Sequence, residues 1–254
     1  MNQISLYVLA HPDDEYFCSQ QIQNDIAHSR RPIVLYLTDG SESLADRREA
    51  ESQNALMRLG VAKEDIRFIG RAVGAQDGQL HANLQPVYDA MVSELQDIED
   101  SIVSIRCMAW EGGHQDHDAG HVLAMCYASE RLKHDVQCTQ FPLYHGKGVQ
   151  GPLFKVHDPL LENGAVNIVA ATSPLKSIAM SRLYPSQWKT WMGLTPFFAL
   201  QILRRRGFVE QTANKHRILE RPHKGALLYE RRFNTRYSDV MKNIEKFVEQ
   251  FTEH

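Results

Sequence analysis

The stretch Ile4-Ser5-Leu6-Tyr7-Val8-Leu9-Ala10-His11-Pro12-Asp13-Asp14-Glu15 passes from an apolar run straight into a histidine and three carboxylates. An apolar run of this length with no alternation reads as a strand buried on both faces. Adjacent carboxylates repel one another, and each is better solvated in water than at a strand end. Two readings follow: a solvated loop, or a site that holds a cation.

Working outward, the pattern repeats. Residues 33–38 (IVLYLT) form a second buried strand closed by Asp39-Gly40, residues 66–69 a third and residues 101–110 a fourth. Between them, residues 17–29, 45–59, 84–98 and about 118–133 carry helical periodicity, and Gly60 is placed to end the second of these. Strands alternating with helices specify an α/β fold: a Rossmann-like, mostly parallel sheet with helices on both faces. In such sheets, sites form beyond the carboxyl ends of the strands. AHPDDE, Asp39-Gly40 and the segment Trp110–Asp118 (WEGGHQDHD) all fall on that rim.

The C-terminal part is less regular. Residues 144–158 read as loop, 166–171 as strand, 174–183 as helix, 226–233 (ALLYERRF) as strand and 238–251 as a terminal helix. Residues 187–206 join aromatics to Arg204-Arg205-Arg206, and read as core packing with a basic helix end in preference to a lid. The expected organisation is one domain over residues 1–254, with a core over about 4–190 and a C-terminal elaboration over about 191–254.

Composition excludes several classes. With 28 Lys and Arg against 31 Asp and Glu, the net charge of -3 leaves no nucleic-acid footprint. No stretch approaches the roughly 20 apolar residues of a membrane span. The N-terminus lacks the basic and apolar regions of a signal peptide. Cys18, Cys107, Cys126 and Cys138 form no CxxC pair and read as reduced thiols of a cytoplasmic protein. No GxxxxGK[ST] or GxGxxG follows a strand, which disfavours nucleotide-dependent chemistry.

The metal reading rests on spacing. His11 and Asp14 stand at i and i+3 in a turn stiffened by Pro12, and His114 and His117 stand at i and i+3 where a helix begins. Two pairs on one rim can close a single site, as a catalytic zinc with three protein ligands requires. Other readings stay open at single positions. Asp13 could cap the following helix, Asp39 could be a turn residue, and Arg48 could pair with Glu51 on a solvated helix face.

AHPDDE after the first strand, with an HxDH segment after a later one, resembles the PIG-L / LmbE-like metal-dependent de-N-acetylases. Leu37-Thr38-Asp39-Gly40, Arg48-Glu49-Ala50-Glu51 before Leu59-Gly60, and Asp77-Gly78 also match that family's pattern, as do Lys176 and Ser186-Gln187 more loosely. The resemblance covers about residues 4–190. It implies that His11, Asp14 and His117 bind one divalent metal ion, zinc being the first choice. It implies that Asp13 is the general base toward metal-bound water, that His114 stabilises or protonates the tetrahedral intermediate, and that Asp116 orients a neighbouring histidine. Arg48 would contact the sugar or its anionic substituent. The implied activity is hydrolysis of an N-acetyl group from an amino sugar or its lipid-, inositol- or nucleotide-linked conjugate. The competing readings are a metal hydrolase of another amide or ester, and a non-catalytic sugar-binding protein. One departure stands out: Gln115 replaces the usual proline of an HPDH segment. The tyrosine that some family members use as an oxyanion donor has no assigned position, with Tyr144 and His145 as neighbours of interest.

Overall fold

A computed structural model describes residues 3–41 and 43–251. Nine strands are present among them: β1 (Ile4–Leu9), β2 (Arg31–Tyr36), β3 (Ile66–Phe68), β4 (Ile102–Met108), β5 (Gln137–Phe141), β6 (Tyr144–His145), β7 (Lys155–Val156), β8 (Val166–Ala170) and β9 (Gly207–Thr212). The helices are α1 (Ser19–Ala27), α2 (Ala45–Leu59), α3 (Ile69–Ala72), α4 (Leu84–Leu95), α5 (Gln115–Arg131), α6 (Pro174–Ala179), α7 (Trp188–Arg205), α8 (Leu228–Arg232) and α9 (Tyr237–Glu249).

The main sheet runs in the order β3-β2-β1-β4-β5-β9-β8. The first five strands are parallel, while β9 pairs antiparallel with β5 and with β8. The chain leaves β1 toward β2 on one side and returns through β4 on the other. A crevice therefore opens between the carboxyl ends of β1 and β4, where a doubly wound sheet places its ligand.

Each strand serves two cores, because successive side chains point to opposite faces. Ile4, Leu6 and Val8 of β1 join one cluster with α4, α5 and α9. Tyr7 and Leu9 join the other with α1, α2 and α7. All of these β1 residues are buried. Burial on both faces explains why β1 shows no alternation in sequence.

Three local readings differ from the structure. Residues 226–233 contain α8 and no strand: Leu227, Leu228 and Tyr229 are buried, and the Glu230 side chain accepts the Leu227 N–H at 2.8 Å. That bond satisfies a helix-start amide, so the apolar run coils. Residues 144–158 are not plain loop; β6 and β7 pair antiparallel there. β9, from the stretch assigned to the C-terminal elaboration, is an internal strand of the sheet.

Candidate active site

The AHPDDE turn is held by its own carboxylates. Asp14 Oδ2 accepts the N–H groups of Ala10 (3.1 Å) and His11 (2.8 Å), and Glu15 Oε2 accepts that of Asp13 (2.9 Å). Asp13 adopts φ 131°, a conformation that strains any residue with a Cβ. Its side chain makes no cap bond to the helical turn that follows. Asp13 Oδ1 instead accepts from Arg48 Nη2 at 2.9 Å.

Arg48 is turned into the protein. Its guanidinium also donates to the Pro12 and Gly40 carbonyls. Arg47, its exposed neighbour, makes the ion pair with Glu51 at 3.1 Å. Pairing of Arg48 with Glu51 on a solvated face is therefore excluded. Arg48 lines the cleft, but its donors are engaged with Asp13 and the backbone of the turn.

The second half of the site comes from the start of α5. The His114 side chain caps the helix, Nδ1 accepting the Asp116 N–H at 3.2 Å. This puts His117 one turn in, facing the AHPDDE turn, with Nε2 at 3.3 Å from Asp14 Oδ1. Gln115 lies within the first turn of α5, and its Nε2 donates to the Gly78 carbonyl at 3.2 Å. The helix thus starts at the position where a proline was expected, with a tie to the facing loop. Gly113 permits the approach: a Cβ there would stand 1.9 Å from the Tyr144 carbonyl oxygen.

The two halves meet. His11 Nε2 is 3.1 Å from both Asp116 Oδ2 and Asp77 Oδ1, and His11 Nδ1 is 3.7 Å from Asp14 Oδ2. Asp116 also accepts the N–H groups of Gly78 (2.5 Å) and Leu80 (3.0 Å), which pins the Asp77-Gly78 turn onto α5. Asp39, expected only as a turn residue, accepts from Ser41 N and from Asp77 N, and so supports the same loop. Ligand-type nitrogens of His11, His114 and His117 all lie within 4.8 Å of one another.

Electrostatics follow from burial and these contacts. Burial pushes the Asp13 carboxyl up; the Arg48 guanidinium opposes this and Asp14 adds to it. Burial acts the same way on Asp14, but His117 and His11 overcome it and hold that carboxyl below its usual range. His11 is raised: burial opposes its charged form, and Asp77, Asp116 and Asp14 outweigh burial. Burial drives His114 down to about 3, with His11 and His117 adding to it. His114 is thus neutral at physiological pH. With Nδ1 accepting from the backbone, its Nε2 carries the hydrogen.

The residues suit a divalent cation. The donors are imidazoles and carboxylates, which match zinc and other first-row ions. Asp116 backs His11 in the carboxylate–histidine arrangement that orients metal ligands. His117 Nδ1 is buried and has no hydrogen-bond partner among the described residues.

These groups floor a cleft of about 370 Å³. Its walls include Tyr144, Phe154, Trp191 and Phe233, with Lys189 and Arg232 at the same opening. Phe233 sets its ring edge-on to His114 at 4.8 Å, and Tyr144 does so to His117 at 5.4 Å. In sequence, Tyr144 is only a neighbour of interest and Trp191 part of a stretch read as core, while Phe154 and Phe233 have no place in the site. Asp77 had only its Asp-Gly turn as a signal, and the walls come from segments with no spacing motif.

Similarity to known proteins agrees with this architecture. The family model described as PIG-L: GlcNAc-PI de-N-acetylase matches residues 6–128, the region that supplies every proposed ligand. Among solved structures, the A40926 pseudoaglycone deacetylase Dbv21 has a TM-score of 0.61 at 15% identity, covering 84% of this chain and 96% of the other. A teicoplanin biosynthesis deacetylase has a TM-score of 0.58 at 15% identity, covering 83% and 97%. The 4-carboxy-2-hydroxymuconate hydratase GalB from Pseudomonas putida KT2440 has a TM-score of 0.53 at 16% identity, covering 83% and 95%. At these identities the likeness is one of fold, and a fold hosts more than one chemistry. No curated protein matches the sequence.

Proposed function

We propose that the cleft is the active site of a metal-dependent N-deacetylase acting on an N-acetylated amino sugar or its conjugate. The observation that carries the reading is the convergence of Asp13, from the end of β1, with His11, His114 and His117 in one cleft. The PIG-L match and the deacetylases among the structural neighbours support it.

His11, Asp14 and His117 would hold the metal, with zinc the first candidate for two imidazoles and a carboxylate. When bound, the metal supplies Lewis acidity, which lowers the pKa of water from about 15.7 toward about 7. Asp13, raised by burial and steadied by Arg48, takes the proton from the attacking water. His114 offers its neutral Nε2–H to the acyl oxygen as negative charge builds there. The Tyr144 ring stands in the same wall, so its hydroxyl is a second candidate donor. Asp116 fixes the tautomer of His11. Arg48 positions Asp13 and, lining the same cleft, would also meet the sugar or its anionic substituent. The aromatic walls suit the apolar faces of a sugar ring. Lys189 and Arg232 suit an anionic group on the attached moiety. The four cysteines are free thiols, which suits a reducing compartment, and the cytoplasm is the location proposed.

The test is a panel of N-acetylglucosamine conjugates (free sugar, inositol-linked, nucleotide-linked and lipid-diphosphate-linked). Acetate and free amine should form in equal amounts from at least one, and chelation should abolish both. Absence of release from every conjugate by protein holding a full complement of metal overturns the amino-sugar assignment.

A further inference from the structure

α7 breaks the usual rule for a surface helix. Trp191, Leu194, Phe198 and Ile202 are buried against the sheet. The opposite side of such a helix is normally polar. Here it carries Trp188, Met192, Phe197, Leu200 and Leu203, between 53% and 67% exposed. At about 100° per residue, Met192, Phe197, Leu200 and Leu203 fall on the half of the helix turned away from the buried side, with Trp188 at its edge. α6, which packs on α7, adds Leu175 at 74% exposed. A contiguous apolar surface of this kind marks a place where something binds.

The charge around this face says what binds. From Asn163 to Val209 the chain holds no Asp or Glu, although acidic residues number 31 in the whole. The same segment holds Lys176, Arg182, Lys189, Arg204, Arg205 and Arg206. Of these, Arg205 pairs with Asp158; the other five make no ion pair among the described residues and are exposed. An apolar face with an exposed tryptophan, whose own segment contributes cations and no acid, complements a bilayer with anionic headgroups, the nearest carboxylates, Glu51 and Asp158, being engaged by Ser186 and Arg205. No helix among the described residues is long and apolar enough to cross a membrane, so contact of this kind lies in the interface plane. A second copy of the chain would bring two cationic borders together, which disfavours self-association through this face.

We propose that the outer face of α6 and α7 docks the protein on an anionic lipid surface. Lys189, Thr190 and Gly193 of α7 also line the catalytic cleft, so docking sets the cleft mouth beside the headgroups. The proposal rests on the surface alone and stands whatever reaction the cleft performs.

The test is flotation of the full chain with vesicles of phosphatidylcholine alone and of phosphatidylcholine containing phosphatidylglycerol. The variants are Phe197→Ser with Leu200→Ser, and Arg204→Glu with Arg206→Glu; none of these residues lines the cleft. The chain should float with the anionic vesicles and not with the neutral ones, and added salt should release it. Each lost cation should weaken partitioning about fivefold, the equivalent of about 1 kcal/mol. The serine pair should weaken it at native Tm and at low salt. Failure to float with any vesicle overturns the proposal, as does native partitioning of both variants. A dimer in sedimentation that the serine pair dissociates, without lipid binding, would assign the face to a second copy and overturn it too.

Discussion

The Asp116 carboxylate lies 3.1 Å from His11 Nε2, across 105 residues of sequence. The same carboxylate accepts the Gly78 and Leu80 amides. One buried side chain therefore joins the first strand's motif, the Asp77-Gly78 turn and the start of α5. Carboxylates behind a ligating histidine typically contribute about 10–100-fold in metal affinity. Asp116→Asn, which keeps the shape and removes the charge, should weaken metal binding by that factor. Metal titration against a competing chelator measures it; unchanged affinity would contradict the role given to Asp116.

Arg48 and Arg47 are neighbours with opposite environments, so they form an internal control. Arg48→Met leaves Asp13 buried without its cation, and breaking a buried pair costs about 3–5 kcal/mol. Arg47→Met removes an exposed pair and should stay within about 0.5 kcal/mol of the native chain. Denaturant unfolding of the two variants checks the contrast. Equal stability would mean that the Arg48 contacts contribute nothing.

Gly113 is required by close approach, with backbone and not a flexible side chain in the way. Gly113→Ala would drive its Cβ into the Tyr144 carbonyl and push β6 or His114 aside. Overpacking of this kind costs about 1–3 kcal/mol. Activity should fall with Tm, because His114 moves with the loop. A native Tm in Gly113→Ala would refute the crowding.

Glu111 gives the fold a pH dependence. Its Oε1 accepts the Leu143 and Tyr144 amides, and its Oε2 is buried with no partner. Burial raises its pKa from 4.5 to about 8, although the two amides favour the charged form. A raised carboxyl holds its proton longer in the folded state. Its contribution to stability is complete below the unfolded pKa and is lost as pH rises toward about 8. Asp118, raised by burial to about 7, acts in the same direction. Stability should therefore fall between about pH 4.5 and 8, by at most about 1.4 kcal/mol per pH unit per group. Glu111→Gln keeps the amide acceptor and should flatten the slope measured by urea unfolding. A slope unchanged by the substitution would show that Glu111 does not titrate in this window.

The parts of the molecule legible in sequence are those with strong local periodicity. β1, β2 and β4 are apolar runs ending in polar motifs, and α2 closes at Gly60, whose φ of 102° suits glycine alone. β5 carries Gln137, Thr139 and Gln140 and offers no apolar run. Gln140 is polar because it serves as a brace, its amide bridging Trp110 N and Thr212 O. In α8, burial of Leu227 and Leu228 imitates a strand, and only the tertiary setting reveals the turn. In α7 the aromatics read as core, and Trp191 and Phe198 are core. The exposed Phe197 and Leu200 carry no local sign of their exposure, because a residue's partner is not written in its own spacing. At the site, motif spacing singled out His11, Asp14, His114 and His117 as neighbours. It gave no signal for Asp77 against His11, since that contact depends on a loop from a different crossover.

Asp13 is proposed as the base beside a metal that His11, Asp14 and His117 would hold. The most direct test compares acetate release by native protein and Asp13→Asn at equal, measured metal occupancy. One bound metal per chain is expected in both, with a rate about 10²–10⁴-fold lower in the variant. Native turnover by fully loaded Asp13→Asn would contradict it.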